Sequence, residues 1–294
     1  MQSCLAILLR CHLGLFGQLR SFGPLRLFAL AAACAITAMG CSAAEAEHKQ
    51  REEKADFHYN LAVGYFQSKN IDLAIRELVA ALEIDSEHAD SHYLYGFIEF
   101  GRKQFEEASD SFKRALKTRP KFYAARNHLG ATYLELERWA DAVATLEPLL
   151  KEPTYTTQYL VYNNLGWAYL KMGDLRLAEK NLKLAVFLNE KFCNGYRNLA
   201  LVAMEQHDFK GAVEQMTEAT TRCPNYAELH MQRAEALTAA GQLAEADGEY
   251  RKCAELGGET MLGRRCKARI RQGGSGGDGR QAPATVSLGG KERG

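Results

Sequence analysis

Ala74, Ala108, Ala142, Ala178, Ala212 and Ala246 stand 34, 34, 36, 34 and 34 residues apart. No single globular core imposes such a rhythm, but stacked helix-turn-helix units of this length do, because each is too small to bury its apolar face alone. Twelve residues before each alanine, a second small residue returns: Ala62, Gly96, Gly130, Gly166, Ala200 and Ala234. Antiparallel helices interlock only where neither carries bulk at the crossing, so small residues mark the crossings. Bulky partners keep the same step. Leu61, Tyr95, Leu129, Leu165 and Leu199 precede the small residue of the first helix, and Leu78, Phe112, Leu146, Leu182, Met216 and Tyr250 follow the alanine of the second. Pro120 and Pro224, with Asp85, Asn189 and Glu190, mark the ends of second helices. Gly173 with Asp174, or Lys69 with Asn70, supplies the turn inside a unit. The expectation is an all-α chain.

This pattern resembles the tetratricopeptide repeat, with six units over residues 55–258. The resemblance implies a superhelix of about six helix-turn-helix units closed by a C-terminal capping helix. Unit three departs from the pattern. Pro148 falls within its second helix, and Glu152, Pro153, Thr154, Tyr155, Thr156 and Thr157 follow, so the 36-residue step reads as a two-residue loop insertion with a local kink at the proline.

The two ends of the chain have a different composition. Arg10, Arg20 and Arg26 accompany an apolar run over residues 25–39, shorter than the roughly 20 residues of a comfortable membrane span, so residues 1–40 read as an export signal. Ala38, Met39, Gly40 and Cys41 resemble a bacterial lipobox, which implies lipidation of Cys41; Cys34, after three alanines, is a second candidate. Ser42 in the next position implies sorting to the outer membrane, with the protein on its periplasmic face. Residues 41–54 form a polar tether rich in Ala, Glu and Lys. At the other end, residues 259–272 place Met261, Leu262, Ala268 and Ile270 among Arg264, Arg265, Lys267, Arg269 and Arg271, as a polar capping helix would. Residues 273–294 are glycine-rich and unpatterned, predicting a disordered tail.

Export gives the cysteines a meaning. Of eight, Cys4, Cys11 and Cys34 lie in the signal and Cys41 is the lipid site, leaving Cys193, Cys223, Cys253 and Cys266. An even number in an oxidising compartment favours disulfides, with three connectivities open. Cys193 begins the first helix of unit five and Cys223 follows its second, so antiparallel geometry brings both to one edge and favours that pair. Such a closure is worth about 3 to 4 kcal/mol in chain-entropy terms. Cys253 with Cys266 would then fasten the last unit to the cap. The alternative is that some remain free buried thiols. No CxxC pair or histidine cluster accompanies them, which argues against zinc.

Nothing in the sequence assembles a catalytic constellation. His88 and His92 are four apart, but His88 belongs to a loop and lacks the glutamate of a metalloprotease motif, so capping or solvated roles fit better. His58 and His92 share one repeat position, which points to packing between helices. No serine sits in a nucleophile elbow. Net charge is +1 without a long like-charge block in the repeats, which disfavours nucleic acid. The basic cluster around Arg264 fits a solvated cap as well as contact with anionic lipid headgroups. The reading is non-enzymatic, with no cofactor, metal or small-molecule substrate.

In tetratricopeptide proteins the first helices line a concave wall, so the resemblance directs attention there. The inward register gives Tyr59, Phe66, Tyr93, Phe97, Phe100, Asn127, Leu134, Asn163, Trp167, Leu170, Arg197, Leu201 and Met204 as a partner-binding groove. Unit six turns polar, with Glu228, Met231, Glu235 and Thr238. Carboxylate-clamp members grip a chaperone C-terminus with lysine, arginine and asparagine; only Arg197, Asn127 and Asn163 match here, which disfavours a clamp. An apolar groove rimmed by asparagines suits an amphipathic helix or extended apolar peptide. The other reading is that these aromatics pack between neighbouring first helices.

Residues 163–169 (NNLGWAY), then Phe192, Cys193, Tyr196, Arg197 and Asn198, then Cys223, Pro224, Tyr226, Ala227 and Glu228, together with the lipobox, resemble the type IV pilus biogenesis and stability lipoproteins of the PilF, PilW and Tgl kind. That resemblance implies a lipid-anchored adaptor, or pilotin, assisting assembly of the pilus secretin, with a secretin subunit or another envelope protein as partner. A generic periplasmic scaffold for envelope assembly or polysaccharide export would share the same features.

Overall fold

The computed structural model describes residues 24–270, with side chains from residue 45 onward. The expected signal before residue 24, with Cys4 and Cys11, lies outside the described residues, as does the glycine-rich tail; the side chains of Cys34 and Cys41 are also outside the description. Among the described residues there are thirteen α-helices, one 3₁₀ turn and no strand. By contacts the chain divides into two compact units, Met1–Phe122 and Tyr123–Gly294.

The first unit holds two hairpins. Helix α1 (Pro24–Gln67) is continuous through residue 41, and its C-terminal part packs on α2 (Ile71–Ile84). No helix among the described residues is long and apolar enough to cross a membrane. The second hairpin pairs α3 (Ala89–Gly101) with α4 (Phe105–Thr118). Leu78 and Phe112 are fully buried beside Ala62, Ala74 and Ala108.

The second unit holds four hairpins and the cap. They pair α5 (Tyr123–Glu135) with α6 (Trp139–Leu146), α7 (Gln158–Lys171) with α8 (Leu175–Leu188), α9 (Cys193–Glu205) with α10 (Phe209–Arg222), and α11 (Ala227–Ala239) with α12 (Leu243–Gly257). Helix α13 (Met261–Arg269) packs on α12. Thr260 caps its start by accepting from the Gly263 amide at 3.2 Å.

The small residues sit where the period places them, and for a steric reason. A methyl group on Gly130 would come within 2.4 Å of Leu146, and one on Gly166 within 2.5 Å of Leu182. Gly96 has more room, its nearest neighbours being Ser111 at 3.0 Å and Phe112 at 3.1 Å. Burial of the leucine or phenylalanine against the glycine backbone is therefore what joins these three hairpins.

All six turns within the hairpins use one device. Lys69, Lys103, Glu137, Gly173, His207 and Gly241 have φ between 58° and 82°. The amide after each donates to a carbonyl five residues back, as Asn70 does to Tyr65 (2.9 Å) and Arg138 to Tyr133 (2.8 Å). This left-handed ending satisfies carbonyls that the helix end would otherwise orphan. Asp174 and Asp208 then cap the following helices through the amides of Leu177 and Gly211, both at 2.9 Å.

Unit three differs from expectation. Pro148 does not kink a helix there; α6 stops after eight residues and the chain continues as a 3₁₀ turn over Glu147–Lys151. Proline at the start of that turn loses nothing, because its missing donor belongs to the first turn anyway. Leu149 is fully buried within it. The extra length is closed by Tyr123, whose hydroxyl donates to Glu152 at 2.6 Å and whose ring meets Tyr155 edge-on at 6.1 Å.

Candidate functional site

In the first unit, the inward register of α1 and α3 builds an aromatic face. Phe66 meets Phe97 edge-on with ring centroids 5.8 Å apart, and Tyr93 lies 6.5 Å from Phe97 and 4.8 Å from Phe122. Tyr59 lies 5.7 Å from His88, and Phe100 packs edge-on to Phe105 at 5.4 Å. Phe97 is 36% exposed, while Tyr59, Phe66, Tyr93 and Phe100 are half-buried. These rings thus pack on one another and still present an edge to solvent. Acidic groups flank them. Arg119 donates to both carboxylate oxygens of Asp90 and lies 4.7 Å over the Phe122 ring. The Tyr59 hydroxyl is raised above its usual pKa by burial first and by Asp90 second, so it stays a neutral donor.

The corresponding face of the second unit is built from amides and charges. Asn198 Nδ2 donates to Asn163 Oδ1 at 2.8 Å, joining α9 to α7. Asn127 on α5 is buried, and its Oδ1 has no hydrogen-bond partner among the described residues. Arg197 Nε donates to Gln232 Oε1 at 2.8 Å, and its guanidinium is 3.5 Å from Glu228. Trp167 is half-buried, with the Lys171 ammonium 4.6 Å over its ring. Met204 packs half-buried against the cluster containing Ala200 and Met216.

Four residues expected to line the groove are buried instead, Asn127 at 8% exposure among them. Leu134, Leu170 and Leu201 are 8%, 7% and 9% exposed, and Leu170 and Leu201 belong to the cluster around Leu182 and Val202. The inward register sits at the edge of a helix's buried stripe, so a branched aliphatic there turns into the interior whereas the longer aromatic rings keep an edge outside. The apolar part of the face is therefore concentrated in the first unit.

Nothing in the repeat pattern signals Arg119 as the partner of Asp90. Asn198 was visible in a motif but stood one position off the inward register, which is why the Asn163 bond, spanning 35 residues rather than 34, was missed. The histidines resolve into structural roles. His88 caps α3, its Nδ1 accepting from the Ser91 amide at 3.2 Å, and its Nε2 is 3.0 Å from Asp56. His58 lies 2.7 Å from Glu77, and at the same position of the last hairpin His230 lies 2.6 Å from Glu249. His92 donates to the Ser86 carbonyl (2.9 Å), and burial lowers its pKa below the ordinary 6.5. Among the described residues no group of three or more acidic, histidine or cysteine side chains is placed to hold a metal.

Both disulfides are formed. Cys193 is bonded to Cys223 across a Cα separation of 6.2 Å, closing the ends of the α9–α10 hairpin, and Cys253 to Cys266 across 6.0 Å, fixing α13 to α12.

Matches to the tetratricopeptide repeat family cover residues 55–88, 99–154, 159–192 and 197–255. The chain is a tetratricopeptide-repeat protein. It is homologous to the type IV pilus assembly protein PilF of Pseudomonas aeruginosa, with 28% identity over 160 residues, or 54% of this chain and 61% of that protein. A second relative is the protein O-mannosyl-transferase Tmtc3 of Drosophila melanogaster, 27% identical over 158 residues, which span 53% of this chain and 17% of the transferase. The matched region thus spans less than two thirds of either relative. Among solved structures, PilW, described as a widely conserved type IV pilus biogenesis factor, superposes with a TM-score of 0.66 at 22% identity, covering 72% of this chain and 97% of PilW. The structure of Pseudomonas aeruginosa PilF gives 0.61 at 20% identity, covering 74% and 99%. Those superpositions speak for the tetratricopeptide fold.

Proposed function

We propose that this tetratricopeptide-repeat protein is a non-enzymatic adaptor of type IV pilus assembly. In this reading Cys41 carries a lipid that holds the chain on the periplasmic face of the outer membrane. The aromatic face of the first unit captures an apolar segment of a secretin subunit until subunits meet. A single acyl chain binds reversibly, so stable residence requires the full lipoprotein modification or partner contacts. The observation that carries the reading is the sequence similarity to a pilus assembly protein over a region made of the same repeats. The face supplies the chemistry. Phe66, Tyr93 and Phe97 offer rigid rings with an exposed edge, the type of anchor that dominates protein interfaces, and Asp56, Asp90 and Arg119 give a polar rim. No catalytic or cofactor step belongs to this mechanism; the work is binding and release.

A photo-crosslinking residue in place of Phe97 tests it in cells. A covalent adduct with the secretin subunit is the expected product. Adducts confined to other envelope proteins would replace the secretin reading with that of a general envelope scaffold.

A further inference from the structure

Helix α13 presents a face that the adaptor reading does not use. Gly263 and Cys266 are buried, and the bond from Cys266 to Cys253 pins this side of the helix to α12. At 100° per residue, Met261, Arg264, Arg265 and Ala268 fall on the opposite side, with Lys267 at its border. All five are exposed, Met261 at 72%. The helix itself, MLGRRCKAR, contains no acidic residue. Residues 251–270 carry a net charge of +4 in a chain whose total is +1. The nearby acidic groups offset this only in part. Lys267 pairs with Glu259 at 2.8 Å, but Arg264 donates to the Glu259 carbonyl at 2.7 Å, leaving its own charge uncompensated. Glu235 on α11 lies within electrostatic reach of Arg265 and Arg269.

We infer that this cap is a docking surface for an anionic phospholipid bilayer, with Arg264, Arg265 and Lys267 meeting headgroup phosphates and Met261 entering the interface. Charge complementarity calls for an anion. The exposed thioether among the arginines selects the kind: a polyanion rewards only the cations, whereas a bilayer boundary rewards cations and an apolar side chain on one helix face. A single convex helix face nine residues long also offers no groove for a peptide. The disulfide adds preorganisation, since the basic face is held in place before contact. This inference depends on neither the lipid at Cys41 nor the pilus partner.

Vesicle flotation of the full-length chain tests it, with phosphatidylcholine vesicles compared with and without phosphatidylglycerol. The apolar N-terminal segment contributes to both, so the readout is the increment due to the anionic lipid. Each basic side chain near an anionic bilayer contributes about fivefold in binding. The Arg264→Gln/Arg265→Gln pair should therefore reduce the increment about 25-fold. Glu259→Gln should raise it several-fold, a gain that damage to the fold would not produce. Met261→Ser should lower it more modestly, and molar salt should erase it. Equal flotation on both vesicles, an increment unchanged in the double variant, or retention on heparin or DNA without flotation would overturn the inference. If the double variant fails to keep its Cys253–Cys266 bond, the Glu259→Gln gain and the salt response of the unaltered chain decide.

Discussion

The two units are built from the same kind of hairpin and put different chemistry at the same repeat positions. In the first, Phe66, Tyr93 and Phe97 touch ring to ring and leave an edge in solvent. In the second, Asn163 and Asn198 bond to each other, Arg197 is spent on Gln232 and Glu228, and the leucines of the register have turned inward. An aromatic face keeps unspent apolar surface for a partner. A face of paired amides has satisfied itself and fixes the spacing of its own helices. In the proposed adaptor, capture would therefore belong to the first unit and rigidity to the second.

The largest effect that separates the two is on stability. Phe112→Ala removes a fully buried ring and should cost about 3 to 5 kcal/mol, read as loss of hydrogen-exchange protection concentrated in α3 and α4. The matching lesion in the second unit, Cys193→Ser with Cys223→Ser, should cost about 2 to 5 kcal/mol and loosen α9 and α10 instead. Identical exchange patterns from both would dissolve the distinction between the units.

Next comes the division of labour. Phe97→Glu should weaken secretin-subunit capture at least tenfold, the scale of losing a hot-spot anchor, while the melting temperature stays near that of the parent. Asn198→Ala should do the reverse, with capture retained and about 1 kcal/mol of stability lost with its bond to Asn163. If Phe97→Glu unfolds the first unit, its ring is core and not contact surface.

Acid titration gives a smaller effect. Burial lowers the pKa of His92 in the first unit and of His128 in the second below 6.5. Below that value the unfolded chain takes up protons that the folded one refuses, so stability falls as pH drops from 6.5 toward the folded values. Denaturant midpoints across this window should decline in the parent and decline less in His128→Gln. Glu235 should give the smallest change. Burial raises its pKa above 4.5, so the folded chain binds the proton more readily, and stability drops as pH rises through that window and stays lowered at neutrality. Glu235→Gln should thus raise the melting temperature slightly at pH 7 and lose that advantage in acid.

The repeat period and the small residues at the crossings were legible in the sequence because each is dictated by a contact that recurs at fixed spacing, and the Cys193–Cys223 edge because an antiparallel hairpin brings its two ends together. The turns were only partly so. Gly173 and Gly241 advertise a left-handed residue, but Lys69, Lys103, Glu137 and His207 adopt it with no local sign; the fit of the following helix imposes the strain on them. The early stop of α6 was hidden because Pro148 is equally consistent with a kink and with a 3₁₀ start. Burial of Leu134, Leu170 and Leu201 was hidden because register fixes an angle around the helix, not how deeply a neighbour covers it.

Helix α1 runs unbroken from the region of Cys41 into the first hairpin. The step of fourteen residues from Cys41 to Ala55 then measures about 21 Å as helix, where a fully extended chain of that length would reach more than twice as far. An acyl group at Cys41 would therefore sit on a stiff post of set height. The hairpins would be carried at a fixed stand-off above the lipid, sweeping little volume, and only a partner presenting its segment at that height would meet the aromatic rings.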